Sequence, residues 1–261
     1  MNGFTVLIPA HDAAAVMRAT LERVHAHLVT LGGAYRTEVI VVDDASHDAT
    51  AAIVETFRRE RTGWLQLVRH PKRRGYRESL RTGLAAARLP NVVVADAQLS
   101  FPAETVGALA DALFRTGADC AVASPLIPGG RIEGVPLHRA LGFRLANRTL
   151  ARAGGGRIQT VTADFRAYDA AVLRDLLAGE SEGEFNSWAI ARLAILKRMV
   201  VEVPALMRGG SYRRPSLGDV VELWSRVAAL RRSARVLRRA RPALRAPGIA
   251  TQVKIGTFGP N

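Results

Sequence analysis

The sequence predicts an α/β fold built on an open, mainly parallel sheet with helices on its faces. Three observations carry this. Short β-branched runs alternate with longer stretches of helical spacing through the first half, the pattern of successive βαβ units. Two runs, Val39-Ile40-Val41-Val42 and Val92-Val93-Val94-Ala95, are apolar throughout, as in strands covered on both faces. Acidic or polar residues follow three of the expected strands, where an open parallel sheet binds its ligands.

Taken in order, strands are expected over 5–8, 38–42, 65–68, 92–95 and 120–123, with helices over 13–31, 49–61, 77–88 and 103–116 between them. Ser46 or Asp48 can cap the second helix, and Pro102 with Glu104 suits the first turn of the fourth. Beyond residue 125 the alternation breaks. The glycine-containing segments 128–130 and 154–156 bracket a helix over 137–153, a further strand is expected over 161–168, and a helix over 184–197 precedes a strand over 199–203 ended by Pro204. Over 217–241 the apolar residues Val220, Leu223, Trp224, Val227, Leu230, Ala234 and Leu237 recur every three or four positions beside an arginine face. That stripe suits either a membrane interface or packing on the domain itself. A catalytic-size domain over 1–216 and a basic amphipathic helix with a loosely ordered tail over 217–261 follow from this pattern.

With 261 residues, 48% of them hydrophobic, the chain can bury a substantial core. Its one cysteine, Cys120, excludes an internal disulfide, and no apolar run approaches the roughly 20 residues of a spanning helix. A cytoplasmic protein is expected, in peripheral contact with the inner face of the membrane through its basic segment. Net charge is +14, which attracts phosphates, acidic lipid surfaces or nucleic acid. Between Arg208 and Arg245 eleven arginines stand against Asp219 and Glu222, so this stretch carries +9 of that charge. Nucleic acid is the weakest of these partners, because the basic segment offers Trp224 alone for stacking and no recognised reading module.

The chemistry concentrates at strand ends: Pro9-Ala10-His11-Asp12 after the first strand, Asp43-Asp44-Ala45-Ser46 after the second and Asp96-Ala97-Gln98 after the fourth. Singly each reads as a turn or helix cap; in order, each at a strand end, they describe one ligand pocket. No Walker loop, dinucleotide fingerprint or nucleophile elbow is present. With Val41 to Thr50, with Arg74-Gly75 before a helix, with Asp96 to Glu104 and with Asp164-Phe165-Arg166-Ala167-Tyr168, the sequence resembles the family-2 glycosyltransferases of the GT-A fold, and within them the dolichyl- and polyprenyl-phosphate mannose or glucose synthases.

The resemblance implies transfer of a sugar from a nucleotide-diphosphate sugar, with inversion. It implies that Pro9, His11, Asp12 and Asp44 line the nucleoside pocket, that Arg73 or Arg74 with Gly75 sits near base or phosphates, and that Asp96, Ala97 and Gln98 reach the diphosphate. Asp96 and Gln98 would hold Mg2+ or Mn2+. Gln98 departs from the family pattern, which has an aspartate there, and offers a neutral oxygen in its place. On the acceptor side Arg139 matches a phosphate-binding arginine, whereas Pro125, Trp188 and Asp164 replace the expected Arg, Glu and Ser. Asp164 reads either as a base for a hydroxyl acceptor or as a structural carboxylate. The acceptor therefore stands open between a polyprenyl phosphate and a small-molecule hydroxyl, and a binder that no longer turns over is the remaining reading.

Overall fold

A computed structural model describes residues 2–61, 63–154, 158–179 and 185–209, together with Ser225, Ala228 and Arg232. In chain order the elements are β1 (Gly3–Ala10), α1 (Ala14–Thr30), β2 (Arg36–Asp43), α2 (Thr50–Glu60), β3 (Leu65–Arg69), α3 (Tyr76–Ala86), β4 (Asn91–Val94), α4 (Glu104–Thr116), β5 (Cys120–Ser124), β6 (Arg131–Glu133), α5 (Leu137–Gly154), β7 (Arg166–Asp169), α6 (Ala170–Ala178), α7 (Phe185–Ile195), β8 (Val200–Pro204) and β9 (Leu206–Arg208). The expected amphipathic segment 217–241 and the tail after it lie outside the described residues, apart from Ser225, Ala228 and Arg232.

Two compact units share these elements. The first comprises Met1–Gly117 and Asp164–Ala178. Its strands run in the order β3-β2-β1-β4-β7. The pairs β3·β2, β2·β1 and β1·β4 are parallel and β4·β7 is antiparallel, which makes the sheet mainly parallel, as expected. The apolar runs lie at its centre, with Val39 to Val42 and Val92 to Val94 buried. Helix α3 lies close over β1: a Cβ at Gly83 would collide with the buried Leu7 side chain, so a glycine is needed for that approach.

The second unit comprises Ala118–Ala163 and Gly179–Asn261. It contains two parallel pairs, β5·β8 and β6·β9. Here the structure departs from expectation. The strand expected over 161–168 is only β7, because residues 159–162 pair with side chains instead of a neighbouring strand. Glu202 accepts from the N–H groups of Gln159 and Thr160 at 2.8 and 2.9 Å, and Asn147 Oδ1 accepts from those of Val161 and Thr162 at 2.8 and 3.1 Å. Both side chains are buried, so four successive amides are satisfied without a ladder. Helix α6 and the three-residue strands β6 and β9 were not expected. β6 and β9 are too short to show a period. Helix α6 follows β7 with no intervening loop, started by Asp169, whose Oδ1 accepts from the N–H groups of Ala171 and Val172.

Candidate active site

Within the first unit the loops after β1, β2 and β4 leave the same edge of the sheet, since the three strands are adjacent and parallel. The first two loops are tied together. Asp12 N–H donates to Ser46 Oγ at 3.0 Å, and His47 N–H donates to Asp12 Oδ1 at 2.8 Å. Ala13 N–H donates to Thr50 Oγ1 and Ala14 N–H to Asp48 Oδ2, so the second loop and the first residue of α2 satisfy the opening amides of α1. Of the two caps expected for α2, Asp48 receives the Thr50 N–H, whereas Ser46 turns away to hold Asp12. His11 donates Nδ1–H to the Asp44 carbonyl at 2.9 Å. Each of the three loops also carries one non-glycine residue in the left-handed region: Asp12 at φ 47°, Ala45 at 57° and Leu99 at 50°. Such residues persist only where surrounding bonds hold them, and they cluster at ligand sites.

Asp44 fastens a further segment. Its carboxylate is 4% exposed and accepts from Arg74 N–H at 2.8 Å, Gly75 N–H at 2.7 Å and His70 Nδ1 at 2.7 Å. Burial alone would raise the Asp44 carboxyl, but the bonds from His70, Arg74 and Gly75 outweigh it and hold it below its ordinary value. Gly75 takes φ 87° and ψ 169°, a conformation essentially confined to glycine. The result is an exposed run of Lys72, Arg73 and Arg74 held beside the end of β2 by a buried anion. Sequence reasoning missed His70; a lone histidine after a short strand carries no signal of the carboxylate it will meet.

Asp96 follows β4. Its carboxylate accepts from Gln98 N–H at 2.9 Å and from Ser100 N–H at 3.1 Å, while burial raises its carboxyl above the ordinary value against the lowering pull of Ser100 and Gln98. Thr20 of α1 donates to the Ala97 carbonyl at 2.7 Å, and Gln98 is exposed. Because β7 runs antiparallel to β4 with Arg166 opposite Val94, continuing that register places Asp164, which is exposed, at the same edge as Asp96. Half-buried Pro9 lies one residue before the end of β1, the strand beside β4. Pro9, His11, Asp12, Asp44, Arg73, Arg74, Gly75, Asp96, Ala97, Gln98 and Asp164 thus belong to one unit, whereas Arg139 stands half-buried on α5 in the other.

Helix α5 has one solvent face of unusual composition. Leu137, Leu141 and Leu145, spaced by four, are 76%, 55% and 64% exposed, and Arg144, Arg148 and Arg152 continue the face toward the helix end. The three arginines line a cavity of about 430 Å³ together with Leu126, Ile158 and Gln159. Sequence reading marked α5 as a helix but not this face.

No helix among the described residues is long and apolar enough to cross a membrane. The family model of glycosyl transferase family 2 matches residues 5–177. The polyprenol monophosphomannose synthase of Mycolicibacterium smegmatis is 30% identical over 213 residues, which cover 76% of this chain and 75% of that protein. The dolichol-phosphate mannosyltransferase of Pyrococcus furiosus is 28% identical over 137 residues, 52% of this chain and 37% of that protein. Among solved structures, a mannosyltransferase from Pyrobaculum calidifontis in complex with GDP-Man and Mn2+ superimposes with a TM-score of 0.60 at 17% identity, covering 93% of this chain and 76% of that one. Glucosyl-3-phosphoglycerate synthase from Mycobacterium tuberculosis, in complex with Mn2+, UDP and glucosyl-3-phosphoglycerate, does so with a TM-score of 0.57 at 17% identity, covering 95% and 82%. The fold is that of the GT-A glycosyltransferases, and the chain is an enzyme belonging to glycosyl transferase family 2.

Proposed function

We propose that this protein transfers a sugar from a nucleotide-diphosphate sugar to a lipid phosphate, with inversion at the anomeric carbon. The observation that carries the donor half is the joining of the loops bearing His11, Asp12 and Asp44, at the same sheet edge as Asp96. His11 and Asp12 meet the nucleoside against Pro9. Asp44, its oxygens already occupied, acts by setting Arg73, Arg74 and Gly75 for the phosphates.

The Asp96 carboxylate accepts from Gln98 and from Ser100, whose N–H is shared between Oδ1 and Oδ2, and keeps lone pairs with which to coordinate, while the exposed Gln98 adds an amide oxygen; two hard oxygen donors suit Mg2+ or Mn2+. When bound there, the cation offsets the negative charge gathering on the diphosphate. An acceptor oxygen attacks the anomeric carbon as the bond to the diphosphate breaks, and its electron pair departs with the nucleotide.

A phosphate acceptor arrives as an anion and needs no base. The exposed leucines of α5 and the arginine-lined cavity beside them favour an acceptor with an apolar chain and a phosphate head, as do the names of the two mannosyl-transferring relatives. A hydroxyl acceptor is the second reading, favoured by Asp164 at the edge shared with Asp96. In an assay of the full chain with GDP-mannose or UDP-glucose and a polyprenyl phosphate, Asp96→Ala should lower turnover by about 100-fold or more. Equal product from both proteins removes Asp96 from the mechanism. Asp164→Asn should leave transfer to the lipid phosphate intact, whereas no transfer to the lipid phosphate by the parent, with transfer to a hydroxyl acceptor that Asp164→Asn abolishes, would assign the base role and the hydroxyl acceptor.

A further inference from the structure

The tied loops after β1 and β2 bring together a second set of ligand atoms. His11, Asp12 and His47 each present one, and all three lie within 4.8 Å of one another. His11 is half-buried and the other two are exposed. The bond from His11 Nδ1–H to the Asp44 carbonyl occupies that nitrogen and leaves Nε2 as the coordinating atom. That nitrogen faces Asp12 Oδ2 at 3.4 Å. His47 adds a second nitrogen donor, the third ligand atom of the group, on a ring that stands nearly perpendicular to that of His11, at 82°.

We propose that His11, Asp12 and His47 form a site for a borderline divalent cation, Zn2+ being the probe of choice. Zinc bonds of about 2.0–2.1 Å to nitrogen and oxygen place tetrahedral ligands roughly 3.4 Å apart. His11 and Asp12 already have that spacing, and the exposed His47 ring closes the third edge by side-chain rotation. Two imidazoles and one carboxylate suit Zn2+, Co2+ or Ni2+ and not Mg2+, which selects oxygen. The outer-shell bond on His11 is the feature that usually orients a metal-binding imidazole. Asp12 Oδ1 is occupied by His47 N–H, which leaves Oδ2 for the cation and holds the two loops at ligand distance. Three protein ligands leave the fourth position open.

Resting on the donor reading above, a cation here and the nucleoside exclude each other, so Zn2+ should inhibit competitively with the donor sugar nucleotide. The test is calorimetric titration of the chelator-treated full chain with Zn2+. One equivalent should bind, and His47→Ala should weaken it at least tenfold, since alanine keeps the backbone N–H that orients Asp12. His138→Ala, at an exposed histidine on α5, should bind as the parent does. Equal binding by parent and His47→Ala, or equal weakening by His138→Ala, overturns the site. Binding lost in His47→Ala together with inhibition that is not competitive keeps the metal site and removes His11 and Asp12 from the nucleoside pocket.

Discussion

Replacing Asp44 by alanine tests how the 70–75 segment is held. The carboxylate is nearly inaccessible and accepts from two backbone amides and one imidazole. Leaving a buried donor without an acceptor costs about 1–3 kcal/mol, more when the lost partner was charged. Arg74 is exposed, and water can take over part of its amide's need; Gly75 and the buried His70 have less access to it. The expected loss is therefore about 2–4 kcal/mol, a large fraction of the roughly 5–15 kcal/mol that holds a domain together. Urea denaturation of parent and Asp44→Ala measures it, and hydrogen exchange locates it, with the Arg74 and Gly75 amides losing protection first. A loss below about 0.5 kcal/mol with unchanged protection would refute the reasoning. The same carboxylate sets an acid limit. Its folded value is lowered, so its contribution is present above the ordinary carboxylate value and is lost as pH falls through the folded one. Asp44→Ala should show less acid sensitivity than the parent in denaturation midpoints between about pH 6 and pH 3.

Three further outcomes are expected. Gly75→Ala meets no atom within 4 Å but forces alanine into a left-handed extended conformation, so it should cost about 1–3 kcal/mol and weaken nucleotide binding, read by thermal shift with and without GDP or UDP. Burial raises the Glu202 carboxyl, so its contribution is present at low pH and is lost as pH rises through the raised value. The stability difference between parent and Glu202→Gln should therefore move in favour of the variant from pH 4 to pH 8 in urea melts. The double change Leu141→Glu and Leu145→Glu touches exposed positions and should leave the thermal midpoint within about 2 °C while reducing retention on phosphatidylglycerol vesicles severalfold; unchanged retention removes the α5 face from lipid binding.

The first unit was legible because its signals are local. Parallel strands buried on both faces must be apolar throughout, so β2 and β4 announce themselves, and their following carboxylates mark the ligand edge. The bonds within that edge were not legible. Nothing in the order of residues says that Ser46 will hold Asp12 instead of capping α2, or that His70 will close on Asp44 across 26 positions. The strand expected over 161–168 failed for a related reason. Val161 and Thr162 have the composition of a strand, but both their amides are taken by the buried Asn147, and composition does not reveal which partner an amide finds.

That arrangement has a bearing on how the second unit forms. Residues 159–162 owe their shape to Asn147, at least 14 positions earlier, and to Glu202, more than 40 positions later. Neither anchor is in place until α5 has coiled and β8 has docked beside β5, and until then the four amides are served by water. Contacts so distant in sequence are expected to close late, over elements already built, and loosening either anchor should speed the opening of the segment more than it slows the folding of the rest.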